Sequence, residues 1–198
     1  MYAYKGIKIR GCEDVYEPSD DTFLLLESLE HINLAGKRAI EIGTGTGIIS
    51  IYLAKKGAIV DAVDINPQAV SCAKRNAKEN SVIIEVYESS FFERVGDKKF
   101  DLIIFNPPYL PEDEEDRKCV DVLTLAWMGG KGGIEKTERF LYDAKEYLRE
   151  NGEIYVVLSS LSEIDSLLSK FSSIYVYEVL SSAKFDFETI YVYKFKKR

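Results

Sequence analysis

Arg38-Ala39-Ile40-Glu41-Ile42, running into Gly43-Thr44-Gly45-Thr46-Gly47 and on into Ile48-Ile49-Ser50-Ile51-Tyr52-Leu53, is the stretch on which the fold turns. A short apolar run, a glycine-rich turn and a helical pattern read as a strand-turn-helix unit, with the strand over Arg38 to Ile42 and the helix over Thr46 to Lys56. The next residues repeat it, Ile59 to Asp64 as strand and Pro67 to Glu79 as helix. These early strands lack polar alternation, as expected when helices cover both faces of a parallel sheet. Val82 to Tyr87 and Phe100 to Phe105 add two strands. Glu135 to Arg149 (helix), Glu153 to Leu158 (strand) and Ser162 to Phe171 (helix) resume the alternation. Ile174 to Leu180 and Thr189 to Phe195 then follow one another with no helix between them. Joined by a loop containing Ser181-Ser182-Ala183-Lys184, they predict an antiparallel hairpin at one sheet edge. The expected architecture is α/β, a doubly wound, mostly parallel sheet of about seven strands.

Toward the N-terminus, Met1 to Ile9 alternates weakly, and residues 1–14 read as a hairpin or extended arm with a turn around Gly11. Pro18-Ser19-Asp20-Asp21-Thr22 opens a helical pattern through Leu24, Leu25, Leu29 and Ile32. Ser19 is its predicted cap, and the helix is expected to end near Asn33, with His31 at its carbonyl end. The 198 residues suit one domain. Lys and Arg number 26 against 33 Asp and Glu, a formal charge of −7, which repels phosphate backbones and favours a protein or small-molecule substrate. Cys12, Cys72 and Cys119, with one histidine in the chain, do not make a zinc site and read as reduced thiols of a cytoplasmic protein. No signal peptide or membrane span is evident.

Two places carry chemistry. In the first, the turn Gly43-Thr44-Gly45-Thr46-Gly47 lets a ligand approach the backbone at a strand-to-helix junction. Asp64 ends the next strand 21 positions after Gly43, a spacing that lets its carboxylate hold a ribose. A dinucleotide site asks for glycine or alanine at position 48, which here is Ile48, and the anionic Glu41 would repel a pyrophosphate. Glu41 suits a cationic ligand, and the nucleoside it points to is S-adenosyl-L-methionine. Glu41 can equally be a buried acid tying down the glycine loop; the two roles are compatible.

The second is Asn106-Pro107-Pro108-Tyr109, directly after the strand Phe100 to Phe105. A residue ahead of proline is kept out of the helical region, so Asn106 is presented stiffly. Its side-chain oxygen and the Pro107 carbonyl form a pair of acceptors suited to an NH2 group. A rigid loop with no ligand explains the same four residues. The following Glu112-Asp113-Glu114-Glu115-Asp116 is a solvated loop or a substrate-docking lid, and glycines 129, 130, 132 and 133 let the chain bend closely around a neighbour.

Acid-x-Gly-x-Gly-x-Gly from Glu41, Asp64-Ile65-Asn66-Pro67 and Asn106-Pro107-Pro108-Tyr109, in this order, resemble class I S-adenosylmethionine-dependent methyltransferases that modify an NH2 group. Val15-Tyr16-Glu17-Pro18-Ser19-Asp20-Asp21-Thr22-Phe23-Leu24-Leu25-Leu26 and Leu125-Ala126-Trp127-Met128-Gly129-Gly130 narrow the resemblance to HemK-type glutamine methyltransferases of the archaeal and eukaryotic branch. The resemblance implies methylation of the glutamine amide in the Gly-Gly-Gln motif of a class 1 release factor. It also implies a small zinc-ribbon activating subunit, which the apolar edge strand Val82 to Tyr87 could accept. Carried over, Thr22 touches the methionine end of the cofactor; Glu41, Gly43, Gly45 and Gly47 line it, and Asp64 holds the ribose. Asn106 and Pro107 hold the amide, and Tyr109 packs against it. Where the family has an acid near the adenine, this chain has Ser89-Ser90-Phe91, so Ser90 and Phe91 are the expected adenine contacts. Three other readings remain at this point: an adenine amino-methyltransferase, a non-catalytic module of the same fold, and a nicotinamide dehydrogenase.

Overall fold

The computed structural model describes residues 1–111 and 128–198. A two-stranded hairpin, β1 (Tyr2–Tyr4) and β2 (Ile7–Ile9), precedes α1 (Asp20–Ser28). Then follow β3 (Arg38–Ile42), α2 (Ile48–Lys55), β4 (Ile59–Asp64), α3 (Pro67–Glu79), β5 (Glu85–Glu88) and β6 (Phe100–Phe105). The chain closes with α4 (Glu135–Tyr147), β7 (Leu148–Ser159), α5 (Ile164–Phe171), β8 (Tyr175–Lys184) and β9 (Thr189–Lys197). The seven-stranded sheet has the order β5-β4-β3-β6-β7-β9-β8. Strands β5 to β7 in that order are parallel, and β9 and β8 are antiparallel.

Both faces of the central strands are buried, which explains their lack of polar alternation. Ile154, Val156 and Leu158 of β7 enter one core with Phe140 and Leu141 of α4 and Leu167 and Phe171 of α5. Tyr155 and Val157 enter the other, with Leu25 and Leu26 of α1 and Ile48, Ile51 and Leu53 of α2. Each fully buried Leu or Phe contributes about 1.5–3 kcal/mol by its removal from water. These two layers hold the carboxyl ends of β3 and β6 in fixed register.

Several expectations change. The first helix stops at Ser28 rather than near Asn33, because Leu29, Glu30 and Ile32 N–H groups turn back on carbonyls three residues earlier. His31 therefore lies beyond the helix in a turn. Leu29 and Leu34 still reach the core, which is why the apolar period outlasts the helix. The N-terminal turn is at Lys5-Gly6, where both residues have positive φ, and not around Gly11. Edge strand β5 begins at Glu85; Val82 and Ile84 pack inward outside the ladder and Ile83 is 96% exposed. Ser181 to Lys184 are strand, each paired with a residue of β9. These small polar residues look loop-like in sequence because β8 is a solvated edge, while backbone pairing with β9 keeps them in the sheet. Finally, Cys12 and Cys72 are not free thiols: they form a disulfide joining the N-terminal segment to α3. Among the described residues no helix is long and apolar enough to cross a membrane.

Candidate active site

Ile42 is the register partner of Val63 on one side and of Phe105 on the other. The glycine turn, Asp64 and Asn106 therefore leave the sheet side by side. They do so between β3 and β6, where the chain's crossovers reverse direction and a crevice opens at the carboxyl ends of the strands.

The glycine turn and Asp64 are directly bonded. Gly45 N–H donates to Asp64 Oδ2 at 2.9 Å and Asn66 N–H to Asp64 Oδ1 at 2.9 Å. These two bonds, one to each oxygen, give the carboxylate one orientation. Burial raises the Asp64 pKa, opposed by the backbone N–H groups of Asn66, Gly45 and Ile65. Gly47 caps α2 with φ +84°, and a Cβ there would lie 2.9 Å from the Ala73 Cβ, so only glycine lets α2 start this close to α3.

Glu41 sits beneath the turn, 2% exposed. Its Oε2 accepts from Thr44 Oγ1 at 2.8 Å, from Ser50 N–H at 3.0 Å and from Ser50 Oγ. Burial pushes its carboxyl up to about 7, against the pull of the Ser50 and Thr44 donors. The brace under the loop is thereby present in the geometry.

Beyond β5, Ser89 N–H donates to the Asp64 carbonyl at 3.0 Å, which brings half-buried Ser90 and Phe91 to the same mouth. Phe91 has φ +47°, an uncommon conformation for a bulky residue, and its ring meets Phe105 edge-on at 5.8 Å.

The Asn-Pro-Pro-Tyr corner is organised by a residue the sequence reading did not single out. Asn106 Nδ2 donates to Asp21 Oδ2 at 3.1 Å, and the hydroxyls of Tyr16 and Tyr109 donate to the same oxygen at 3.4 Å. Asp21 Oδ1 accepts from Thr22 N–H and, at 3.0 Å, from Thr22 Oγ1, so the expected cofactor residue Thr22 is tied to the same acid. Burial, with the Asp21 charge next, pushes Tyr16 up to about 12 and raises Tyr109 further, so both stay protonated donors. Because Asn106 Nδ2 is spoken for, Asn106 Oδ1 is turned the other way, and it is a buried acceptor with no partner among the described residues. An orphaned buried acceptor is expensive and asks for a donor. In sequence, Asp21 looked like an ordinary acid in a helix's first turn; only its 5% exposure distinguishes it.

The corner is held from behind. Ser162 Oγ donates to the Tyr109 carbonyl at 2.7 Å and Gly129 N–H to the Leu110 carbonyl at 2.8 Å. A Cβ at Gly129 would lie 2.8 Å from the Pro108 oxygen, and Gly133 packs against the Tyr109 carbonyl. All four late glycines thus allow the close approach expected of them, Gly130 against Glu135 and Gly132 against Glu163. The acidic run Glu112 to Asp116, Cys119 and the Leu125-Ala126-Trp127 part of the second motif lie outside the described residues.

Residues 17–125 match the model of the methyltransferase small domain. The chain belongs to the methyltransferase small domain family. A chain of Methanocaldococcus jannaschii named as a protein N5-glutamine methyltransferase is 44% identical over 190 residues, covering 95% of this chain and 94% of that one. The mouse methyltransferase HEMK2 is 37% identical over 79% of this chain and 76% of its own length. Among solved structures, the E. cuniculi Mtq2-Trm112 complex, described as responsible for methylation of the termination factor eRF1, superposes with a TM-score of 0.74 at 26% identity. It covers 93% of this chain and 99% of the matched chain. In this chain the glycine turn, Asp64 and the Asn106 corner follow the neighbouring strands β3, β4 and β6.

Proposed function

We propose that this chain transfers a methyl group from S-adenosyl-L-methionine to the side-chain amide nitrogen of the glutamine in the Gly-Gly-Gln motif of a class 1 release factor. The observation that carries it is Asn106 Oδ1, buried, without a partner among the described residues and aimed by the Asp21 carboxylate. The residues present fit the cofactor: Asp64 is a carboxylate held in one orientation that can accept from ribose hydroxyls, and the glycine turn leaves a cradle that side chains would fill. Thr22, Glu41, Gly43, Gly45, Gly47, Ser90 and Phe91 are the residues expected to hold the cofactor. When bound, S-adenosyl-L-methionine supplies an electrophilic sulfonium methyl.

An amide nitrogen is a poor nucleophile because its lone pair is delocalised into the carbonyl. Asn106 Oδ1 and the Pro107 carbonyl accept its two N–H bonds, which turns the nitrogen's remaining face toward the methyl and presents two fixed dipoles to the positive charge that develops there. Tyr109 packs against the amide plane. The product nitrogen then gives up one proton to solvent, so no side-chain base is needed before transfer. The release-factor names of the relatives support the acceptor. A small zinc-ribbon activating subunit is expected to add to β5, where Ile83 stands exposed at the open edge.

Incubation with labelled S-adenosyl-L-methionine and a class 1 release factor, with and without such a subunit, tests the reading. Label is expected on the wild-type factor and absent when the motif glutamine is changed to alanine. Label on the altered factor would overturn the glutamine assignment.

A further inference from the structure

The segment from Arg10 to Tyr16 is a strap that runs along α3 and ends over the glycine turn. Its first part is well tied. Arg10 N–H donates to Asn76 Oδ1 at 3.1 Å, and the Arg10 carbonyl accepts from Asn76 Nδ2 at 3.1 Å and Arg75 Nη2 at 3.0 Å. Asn76 Nδ2 also donates to the Thr46 carbonyl at 2.9 Å, so the same side chain links the strap to the glycine turn. Its last part reaches the site: Tyr16 O–H bonds Asp21, and the Tyr16 carbonyl lies over Gly45.

Between these ends the attachments are few. Val15 is buried only in a small cluster with Ala69 and Cys72, against which Cys12 packs, separate from both main cores. Asn66 Nδ2 donates to the Asp14 carbonyl at 2.7 Å. The covalent link at the centre of that cluster is the Cys12–Cys72 disulfide, with Cα atoms 6.2 Å apart and a sequence separation of 60.

We propose that the Cys12–Cys72 disulfide is a redox-operated clasp on the cofactor site. Formed, it holds Cys12 to Tyr16 on α3, with Tyr16 and Asp21 set against Gly45 and Asn106; reduced, it releases the strap and weakens cofactor binding. The reductant is a dithiol. Its thiolate attacks the half-buried Cys12 Sγ, the S–S bond breaks, and buried Cys72 leaves as thiolate and takes a proton. The second thiol of the reductant then displaces Cys12 from the mixed disulfide. In total two electrons and two protons pass to the cysteines, and the reductant becomes a cyclic disulfide. Arg75 Nη2, 3.0 Å from Cys12 Sγ and 3.8 Å from Cys72 Sγ, is placed to stabilise negative charge on either departing sulfur. The unaffected ties at Arg10 keep the first part of the strap in place, so the effect is local.

The test compares the full chain before and after dithiothreitol, with peptide mass mapping to establish the state of Cys12 and Cys72. The Kd for S-adenosylhomocysteine is expected to rise about tenfold on reduction, and amide hydrogen exchange over residues 12–16 to accelerate, while exchange in β3 and β6 stays slow. Cys12→Ser/Cys72→Ser should behave as the reduced chain and ignore dithiothreitol. The ligand arm rests on the proposed cofactor; if neither state binds it, that assignment fails, and the exchange of residues 12–16 still decides the clasp. Unchanged exchange there in chain verified as reduced, or equal exchange in the serine variant and the oxidised wild type, overturns it.

Discussion

Asp21→Ala removes the acceptor that fixes the Asn106 amide. The lost Nδ2 bond, 3.1 Å long and to a carboxylate, belongs to the class of hydrogen bonds to charged groups that contribute about 1.5–3 kcal/mol. With it goes the reason for Asn106 Oδ1 to face the acceptor pocket. If that energy is lost from the transition state, the single-turnover rate falls roughly 10- to 150-fold, at about 1.36 kcal/mol per factor of ten. Asp21→Asn keeps an acceptor without its charge, and charge assistance is about half the bond, so its loss should be about tenfold or less. The assay is quenched single turnover of saturating labelled S-adenosyl-L-methionine on the release factor, with calorimetry of S-adenosylhomocysteine in parallel. Cofactor affinity should fall less than the rate, through the loss of the Thr22 contacts alone, since Asp64 and the glycine turn are untouched. Loss of the Thr22 contacts at the helix N-terminus costs about 1 kcal/mol, a fall in Tm of roughly 2–4 °C, which leaves the chain folded. A single-turnover rate within twofold of wild type for Asp21→Ala would refute the reasoning, as would a loss of cofactor binding that tracks the loss of rate.

Other consequences follow from the same contacts. Asn106→Asp places a second carboxyl against Asp21, so one of the two must hold a proton; transfer should be lost above neutral pH and stability should improve as pH is lowered, read by thermal melts from pH 5 to 8. Gly47→Ala forces a positive φ on alanine and drives its Cβ into Ala73; at about 2 kcal/mol the expected fall in Tm is roughly 4–8 °C, measured by calorimetry. Glu41, with its carboxyl pushed up to about 7, is neutral in the ligand-free fold at acid pH. An acid whose folded pKa lies above its unfolded value weakens the fold as pH rises from about 4.5 to about 7, here by about 3 kcal/mol, with no further change above that. Glu41→Gln should flatten that part of the stability curve. In wild type, cofactor affinity should rise between pH 6 and 8 as the carboxylate becomes available to a cationic ligand, an increase calorimetry would find missing in the variant.

What could be read from the sequence was what local pattern determines. Ile59–Asp64, Pro67–Glu79 and Phe100–Phe105 begin and end where their turn residues and apolar runs place them, because Asn66 caps α3 locally and Pro67 sets its first turn. The boundaries that moved are those set by distant partners. Leu29 and Leu34 keep an apolar period beyond α1 because the core lies beneath them, whatever the backbone does. Ser181 to Lys184 become strand because β9 offers partners. The same holds for chemistry. Asp64 and the glycine turn announce themselves by spacing on adjacent strands, whereas the pairing of Cys12 with Cys72 and of Asp21 with Asn106 spans 60 and 85 residues and depends on how α1 and the strap lie over the sheet.

Across that distance Tyr16 through Thr22 and the Asn-Pro-Pro-Tyr corner are joined by hydrogen bonds. Neither segment completes a site alone. The corner offers an amide that can rotate to present either its oxygen or its nitrogen, and prolines stiffen the backbone without choosing between them. Asp21 makes the choice: one carboxylate oxygen collects Asn106 Nδ2, Tyr16 Oη and Tyr109 Oη, three donors that leave Asn106 Oδ1 as the open acceptor. The other oxygen binds Thr22 at the start of α1, next to the expected methionine end of the cofactor. On the proposed function, donor and acceptor halves of the reaction are therefore joined through a single buried acid. The N-terminal strap that delivers it is held to α3, which is where a change in that strap would be felt by both halves at once.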